Sequence, residues 1–306
     1  WVNKGNFLPK DCILHIHRIE LALPFLLPRK KNPIILTIHG IGKFAELATT
    51  HILFNKSWFR YLYYKIESFV IRKVDRIILV SQEGMDYYIS KFPRQKNKFI
   101  LIPNSVDTEL FQPMDKENMR LKYHFRSDEK ILLFVGRFDQ AKGLDLLIDA
   151  FQQFRKDIPR VKLVLVGDGK EKDYIERKAE RLKISEAVFM GIVEYNRLPE
   201  IINCADVFVL TSLWEGMPLV ALEALACGVP VVSTNVGQLR EVIKNGVTGY
   251  LVDKREPEEI RKKINLALQT AKNMREKCRE TAQKFSSSII AKEIEEIYRE
   301  VHQKYE

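Results

Sequence analysis

The feature that most constrains this chain is an alternation. Short β-branched apolar runs recur along it, each separated from the next by an amphipathic stretch. Residues 12–17, 34–38, 76–80 and 99–102 form a first series, with an aromatic-rich helical stretch at 55–73 between its second and third members. Residues 131–135, 162–166, 187–190, 207–210 and 230–233 form a second series. Helical patterns at 143–151, 170–182, 198–203, 218–226 and 238–244 are interleaved with it, and a last helix runs from 288 to about 305. Strands that are apolar throughout must be covered on both faces, which calls for parallel sheets with helical crossovers. The pattern therefore predicts two doubly wound Rossmann-like α/β domains facing a cleft, with a boundary near Gln112 and Pro113. The domains expected are 1–113 and 114–287. A C-terminal helix, 288–306, is expected to pack back toward the first domain.

Length and composition fit this. The chain has 306 residues, 46% of them hydrophobic, enough for two cores of ordinary size. Cys12, Cys204, Cys227 and Cys278 are far apart and form no C-x-x-C pair. That argues against a disulfide framework or zinc site and for a reducing compartment. The apolar stretch 19–28 carries Glu20 and two prolines and is too short to span a bilayer, and no secretory signal is expected. The chain opens on Trp1 rather than Met and runs almost at once into a strand. A chain that opens this way is expected to be either a fragment lacking its first strands or one whose first part is remodelled.

Two constellations carry chemistry. In the first, a strand ends at Gly136, Arg137 and Lys142 follow five residues apart, and a helix starts near Gly143. Glycine permits close backbone approach, a helix N-terminus favours an anion, and two cations can neutralise a diphosphate. The spacing alone is also that of two solvated loop cations. In the second, strand 207–210 leads through Thr211–Trp214 to Glu215, Gly216, Met217, Pro218 and Leu219, with Pro218 suited to a first helical turn. Glu223 lies eight residues beyond Glu215 among Leu222, Ala224 and Leu225. A carboxylate in that setting needs hydrogen-bond donors, which sugar or ribose hydroxyls supply. The plainer reading is a dipole-stabilising Glu215 and a surface Glu223.

The segment EGMPLVALEALACGVPVVST, preceded by FVGRFDQAKGLDLLIDAF, LVLVGDG and ADVFVLTSLW and followed by VGQLREVIKNGVTGYLV, resembles the retaining GT-B glycosyltransferases of the group-1 (family 4) type. The resemblance runs from about Asp11 to the C-terminus and is densest over 131–253. It implies that Arg137 and Lys142 hold the donor diphosphate as leaving group. It also implies that Glu215 lies close to the transferred sugar and that Glu223 binds the nucleotide ribose. Gly136 belongs to the diphosphate loop, Gly216, Met217, Pro218 and Leu219 form the loop whose amides meet the sugar and phosphates, and Gly167 and Asp168 line the nucleotide site. Asp168 is not part of a D-x-D pattern, so no metal and no cofactor is expected. In the first domain, LTIHG resembles the strand end that presents an active-site histidine, here His39. IPNSVD at 102–107 resembles the family's IPNGVD turn with Ser105 in place of glycine.

Other features read less sharply. His15 and His17 alternate onto one strand face without a third metal ligand, so packing or site polarity accounts for them. Trp58, Phe59, Tyr61, Tyr63 and Tyr64, mixed with Lys56, Arg60 and Lys65, suit a core helix with a basic outer face better than an interfacial helix. Net charge is +10, of which residues 1–113 carry +8. The densest basic clusters there are Arg29, Lys30 and Lys31, then Arg72, Lys73 and Arg76, then Arg94, Lys96 and Lys98. Such asymmetry points to an anionic partner: a lipid-linked or phosphate-bearing glycan acceptor, or an anionic membrane surface. Nucleic acid is not expected, since no binding module accompanies the charge. Together these readings give a cytoplasmic enzyme, peripheral at the inner membrane face, moving a hexose from an NDP-sugar to an acceptor with retention. A non-catalytic nucleotide-sugar-binding module and an NDP-sugar epimerase of the same fold are the alternatives.

Overall fold

The computed structural model describes residues 12–26, 32–39 and 57–305, save the side chains of 57, 59 and 60. The chain forms two compact units, Trp1–Asn104 with Ser288–Glu306, and Ser105–Ser287.

In the first unit, β1 (Leu14–Ile16), β2 (Ile34–Ile38), β3 (Arg76–Leu79) and β4 (Phe99–Leu101) form a parallel sheet in chain order. Every residue of β2 is buried, as a strand covered on both faces requires. Helices Ile19–Leu26 and Ser57–Lys73 contribute Ile19, Ala22, Leu26, Val70 and Ile71 to the core beside β2 and β3. The helix Ser57–Lys73 is core only toward its C-terminal end. Trp58, Tyr61, Leu62 and Tyr64 are exposed, which corrects the expectation of an aromatic core helix. Ile290, Ile297 and Val301 of the last helix, Ser287–His302, pack with Ile35, Ile78 and Ile102.

The second unit holds β5 (Lys130–Val135), β6 (Val161–Val166), β7 (Ala187–Gly191), β8 (Val207–Leu210), β9 (Val231–Thr234) and β10 (Gly249–Val252), all parallel. Their order is β10-β9-β8-β5-β6-β7. The direction of winding reverses between β5 and β8, where Leu132 pairs with Val207 and Leu133 with Phe208. In such sheets the crevice at this reversal, beyond the strands' carboxyl ends, is the natural ligand position. β5 runs into Gly136 and β8 into Thr211, so both sequence constellations emerge there.

Several elements are absent from the strand and helix reading of the sequence, among them the helices Ile19–Leu26, Gln82–Lys91 and Lys116–Lys122, the strand β10 and the helix Pro257–Gln283. β10 is a short edge strand. The helix Pro257–Gln283 is the longest one described and buries Ile260, Ile264, Ala267, Met274, Cys278 and Ala282. Its charged outer face masks that stripe in a linear reading. The units divide at 104/105, ahead of the expected 112–113. Phe111 is fully buried in the second core, Val106 N–H donates to Phe285 O at 2.9 Å, and Arg279 donates to Thr108 O and Phe111 O. These bonds tie residues 105–113 to the second unit.

Candidate functional site

The 3-10 turn Gln140–Lys142 follows β5 and ends at Gly143, whose φ of +62° lies in the left-handed region. A Cβ there would fall 2.3 Å from Thr211 O, so only glycine lets the β5 turn touch the end of β8. The contact is reinforced from both sides. Thr211 Oγ1 donates to Gly143 O at 2.9 Å, and Leu213 N–H to Ala141 O at 2.7 Å. This brings Lys142 Nζ to 2.7 Å from Glu215 Oε1, an ion pair with little solvent access. Ser212, fully buried, donates to the same oxygen at 2.7 Å. Two donors on one carboxylate oxygen hold Glu215 in place. An incoming anion can compete for Lys142 and release Glu215.

The segment carrying Glu215 is fixed from behind. Thr234 Oγ1 donates to Ser212 O at 2.7 Å. Gly237, with φ +56°, packs so closely that a Cβ would lie 2.3 Å from both Glu215 O and Gly216 O. Beyond Pro218, which is buried, the helix Leu219–Ala226 begins, with Met217 buried and Leu219 exposed before its first turn closes.

Arg137 projects into solvent, 79% exposed, and pairs with Asp139 Oδ2 at 3.0 Å. Asp139 Oδ1 is buried without a partner. Gly136 N–H donates to Val166 O, and Gly167 lies against Gly136 O, so the turns after β5 and β6 touch. Asp168 is exposed, and its Oδ1 accepts from Gly169 N–H at 2.6 Å. Arg137 and Lys142 are thus on one loop without sharing a partner.

Glu223 is the most unusual group. It is 3% exposed, so the surface reading of this residue is corrected: it sits on the buried face of its helix. Its Oε1 accepts from Tyr195 OH at 3.1 Å, while Oε2 is buried with no partner. Burial raises its carboxyl to about 7, opposed only by the Tyr195 hydrogen bond. Burial, and then the charge of Glu223, push the Tyr195 hydroxyl to about 12. An orphaned buried carboxylate oxygen is costly and fits a ligand that brings hydroxyl donors.

In the first unit, His39 follows β2. His17 Nδ1 and His39 Nε2 lie 2.9 Å apart, and the His15, His17 and His39 rings stack in series. His15 bonds Tyr298 OH and Thr37 Oγ1. Burial, then the nearby His17 and His39, lower it to about 4, so it is neutral at pH 7. His15 is thereby a packing residue. The described residues contain no group of three or more His, Cys, Asp or Glu able to hold a metal ion.

The family model described as Glycosyl transferases group 1 matches residues 115–285, more than half of the chain. The chain belongs to the group 1 glycosyl transferases. A second family model, Glycosyltransferase Family 4, matches residues 10–110 of this group 1 chain. An uncharacterised glycosyltransferase of Methanocaldococcus jannaschii is 35% identical over 190 residues, which are 60% of this chain and 48% of that protein. The chain spans about half the length of that relative. Among solved structures, sucrose-phosphate synthase from Thermosynechococcus elongatus superposes with a TM-score of 0.82 at 25% identity, covering 95% of this chain and 74% of that one. Anabaena HepE in complex with UDP-glucose gives 0.77 at 23%, covering 94% and 78%. The two parallel-sheet α/β units are those of the GT-B fold.

Within this group 1 glycosyl transferase, Ser212 and Tyr195 are partners of the two glutamates that the sequence reading missed. A serine between strand and glutamate has many possible roles, and Tyr195 is 28 residues from Glu223. Arg29, Lys30, Lys31 and Gly40 lie outside the described residues. Among the other basic clusters, Arg76 is bonded to Glu300, and Lys98 Nζ donates to Arg72 O and Val74 O. Both are committed to structure within the first unit. Among the described residues no helix is long and apolar enough to cross a membrane.

Proposed function

We propose that this chain transfers a hexose from an NDP-sugar to an anionic acceptor, lipid-linked or phosphate-bearing, with retention at the anomeric carbon. The observation that carries the reading is the Lys142–Glu215 pair at the β5/β8 reversal. A diphosphate entering there draws Lys142 from Glu215 and meets Arg137 on the same loop. Two cations and the loop N–H groups of Gly216, Met217 and Leu219 then stabilise the departing diphosphate, an electrostatic contribution made where charge develops. Glu215, released from Lys142, is left with Ser212 and is free to accept from a sugar hydroxyl. Glu223 takes the ribose hydroxyls, which satisfy its orphaned oxygen. HepE, of the same fold, has been crystallised with UDP-glucose, which supports a nucleotide-sugar donor. No step requires a covalent nucleophile or a metal ion. With retention and no covalent nucleophile, the acceptor hydroxyl attacks from the face the diphosphate leaves, its proton passing to the departing diphosphate, and no enzyme-linked sugar forms. His39 is assigned the contact with the transferred sugar that the family resemblance implies.

The acceptor reading rests on the +8 charge of residues 1–113 and on exposed Trp58, Tyr61 and Tyr64, which suit an anionic membrane surface.

The test is turnover of NDP-sugars by wild type, Arg137→Ala and Lys142→Ala, with product anomers read by NMR. The expected result is transfer with retention and kcat/KM lowered roughly 10²-fold in each variant. Near-normal turnover in both variants, with the fold intact, overturns the assignment. Donor conversion without acceptor would mark an epimerase, and tight binding without turnover a binding module.

A further inference from the structure

Gln238 belongs to none of the motif roles above, yet it is 3% exposed, and both amide atoms, Oε1 and Nε2, are buried without a hydrogen-bond partner. Among the described residues it is the one side chain with two such orphaned atoms. A carboxamide has two N–H donors and an acceptor oxygen, and burying all of them unpaired works against folding. Its place in the fold is specific. Gln238 N–H donates to Gly216 O at 3.0 Å. The preceding Gly237 is pressed against the carbonyls of Glu215 and Gly216. Gln238 O in turn accepts from Glu241 N–H at 2.8 Å. The residue is therefore bolted by its backbone to the loop that carries Glu215, while its side chain is left chemically unspent.

We propose that Gln238 is a specificity residue for the transferred sugar, its carboxamide pairing with two neighbouring hydroxyls of the hexose. This rests on the donor reading above. The chemistry matches the ligand class. Glu215 and Glu223, when ionised, can only accept hydrogen bonds, so they read hydroxyls as donors. An amide both donates and accepts, so it reads one hydroxyl as acceptor and its neighbour as donor, and it discriminates epimers in which that pair changes geometry. The packing around the amide closes it off. The contact therefore forms with a shift of the Glu215–Gly216 segment, the same segment that loses its tie to Lys142 when a diphosphate arrives.

The experiment compares wild type with Gln238→Leu and Gln238→Glu. Measured are kcat/KM for two NDP-hexoses that differ at one hydroxyl, affinity for the free NDP by calorimetry, and Tm. For Gln238→Leu the expected result is an unchanged or higher Tm, since an unpaired polar group is removed, with free-NDP affinity within about twofold of wild type. Its kcat/KM for the preferred donor should fall about 10- to 100-fold, and the preference between epimers should narrow by a similar factor. Gln238→Glu should keep the acceptor function and lose the donor, shifting the preference rather than only weakening it. Wild-type kcat/KM and preference in Gln238→Leu overturn the proposal, and so does a lowered Tm with parallel loss of NDP affinity, which marks a structural role. A wild type that turns over no NDP-sugar removes the donor reading and this assignment together. An active wild type with an indifferent Gln238→Leu removes this assignment alone.

Discussion

Replacing Glu223 by Gln keeps the side chain's shape and removes its ionisation. Burial lifts this carboxyl from its ordinary 4.5 to about 7 in the folded chain. At about 1.4 kcal/mol per pH unit, the charged form is disfavoured in the fold by about 3 kcal/mol relative to the unfolded chain. The sign follows from proton counting. Below pH 4.5 both states hold the proton and the difference vanishes. Between 4.5 and about 7 the unfolded chain sheds it while the folded chain keeps it, so wild type loses stability as pH rises. Above 7 both are ionised and the full penalty remains. Gln has no such proton, so the stability of Glu223→Gln relative to wild type should grow by about 3 kcal/mol from pH 4 to pH 8. For a unit of this size that is roughly 6–12 °C in the Tm of its transition. Calorimetric scans at pH 5 and pH 8 measure it. NDP should narrow the gap at pH 8, because ribose hydroxyls stabilise the wild-type carboxylate. A gap that stays flat across the range, or a variant less stable at pH 8 than at pH 5 relative to wild type, refutes the argument that Glu223 is buried without a charge partner.

Glu215→Gln should slow transfer while leaving NDP affinity near wild type, whereas Glu223→Gln should mainly weaken NDP binding. Equal losses of NDP affinity in both contradict that division. Gly237→Ala places a methyl carbon against the Glu215 and Gly216 carbonyls and should cost roughly 1–3 kcal/mol and most of the transfer activity. Gly246→Ala, at a similar positive φ with nothing within 4 Å, is the control, and matching losses in both would remove the packing argument. Activity should survive EDTA. Loss restored by magnesium or manganese would refute the metal-free mechanism. Binding to anionic vesicles should exceed binding to neutral ones and fade with salt, since exposed charges are screened over about 8–10 Å. It should also weaken in Trp58→Ala and Tyr61→Ala, and equal binding to both vesicle types removes the membrane reading.

Much of the fold was legible because it is written in local periodicity. Strands such as β2, β5 and β8 are continuous apolar runs, and a run of that kind must be covered on both faces whatever its partners are. The same holds for Arg137, Lys142 and Glu215, whose spacing along strand–turn–helix units already implies that they emerge at strand ends, and for Glu223, which that spacing puts on the helix that follows. The sequence by itself therefore determined the doubly wound class, the position of these loops after their strands, and the family. It did not determine the order β10-β9-β8-β5-β6-β7, which places the β5 and β8 ends side by side, because strand order depends on contacts between segments some 75 residues apart. Only the tertiary structure decided that Lys142 is paired with Glu215 rather than with Arg137's surroundings, that Tyr195 partners Glu223, that Trp58 and Tyr61 face solvent, and that the amide of Gln238 is sealed without a partner. Each of these turns on burial and on hydrogen-bond geometry across long sequence separations, and neither quantity is carried by a residue's immediate neighbours.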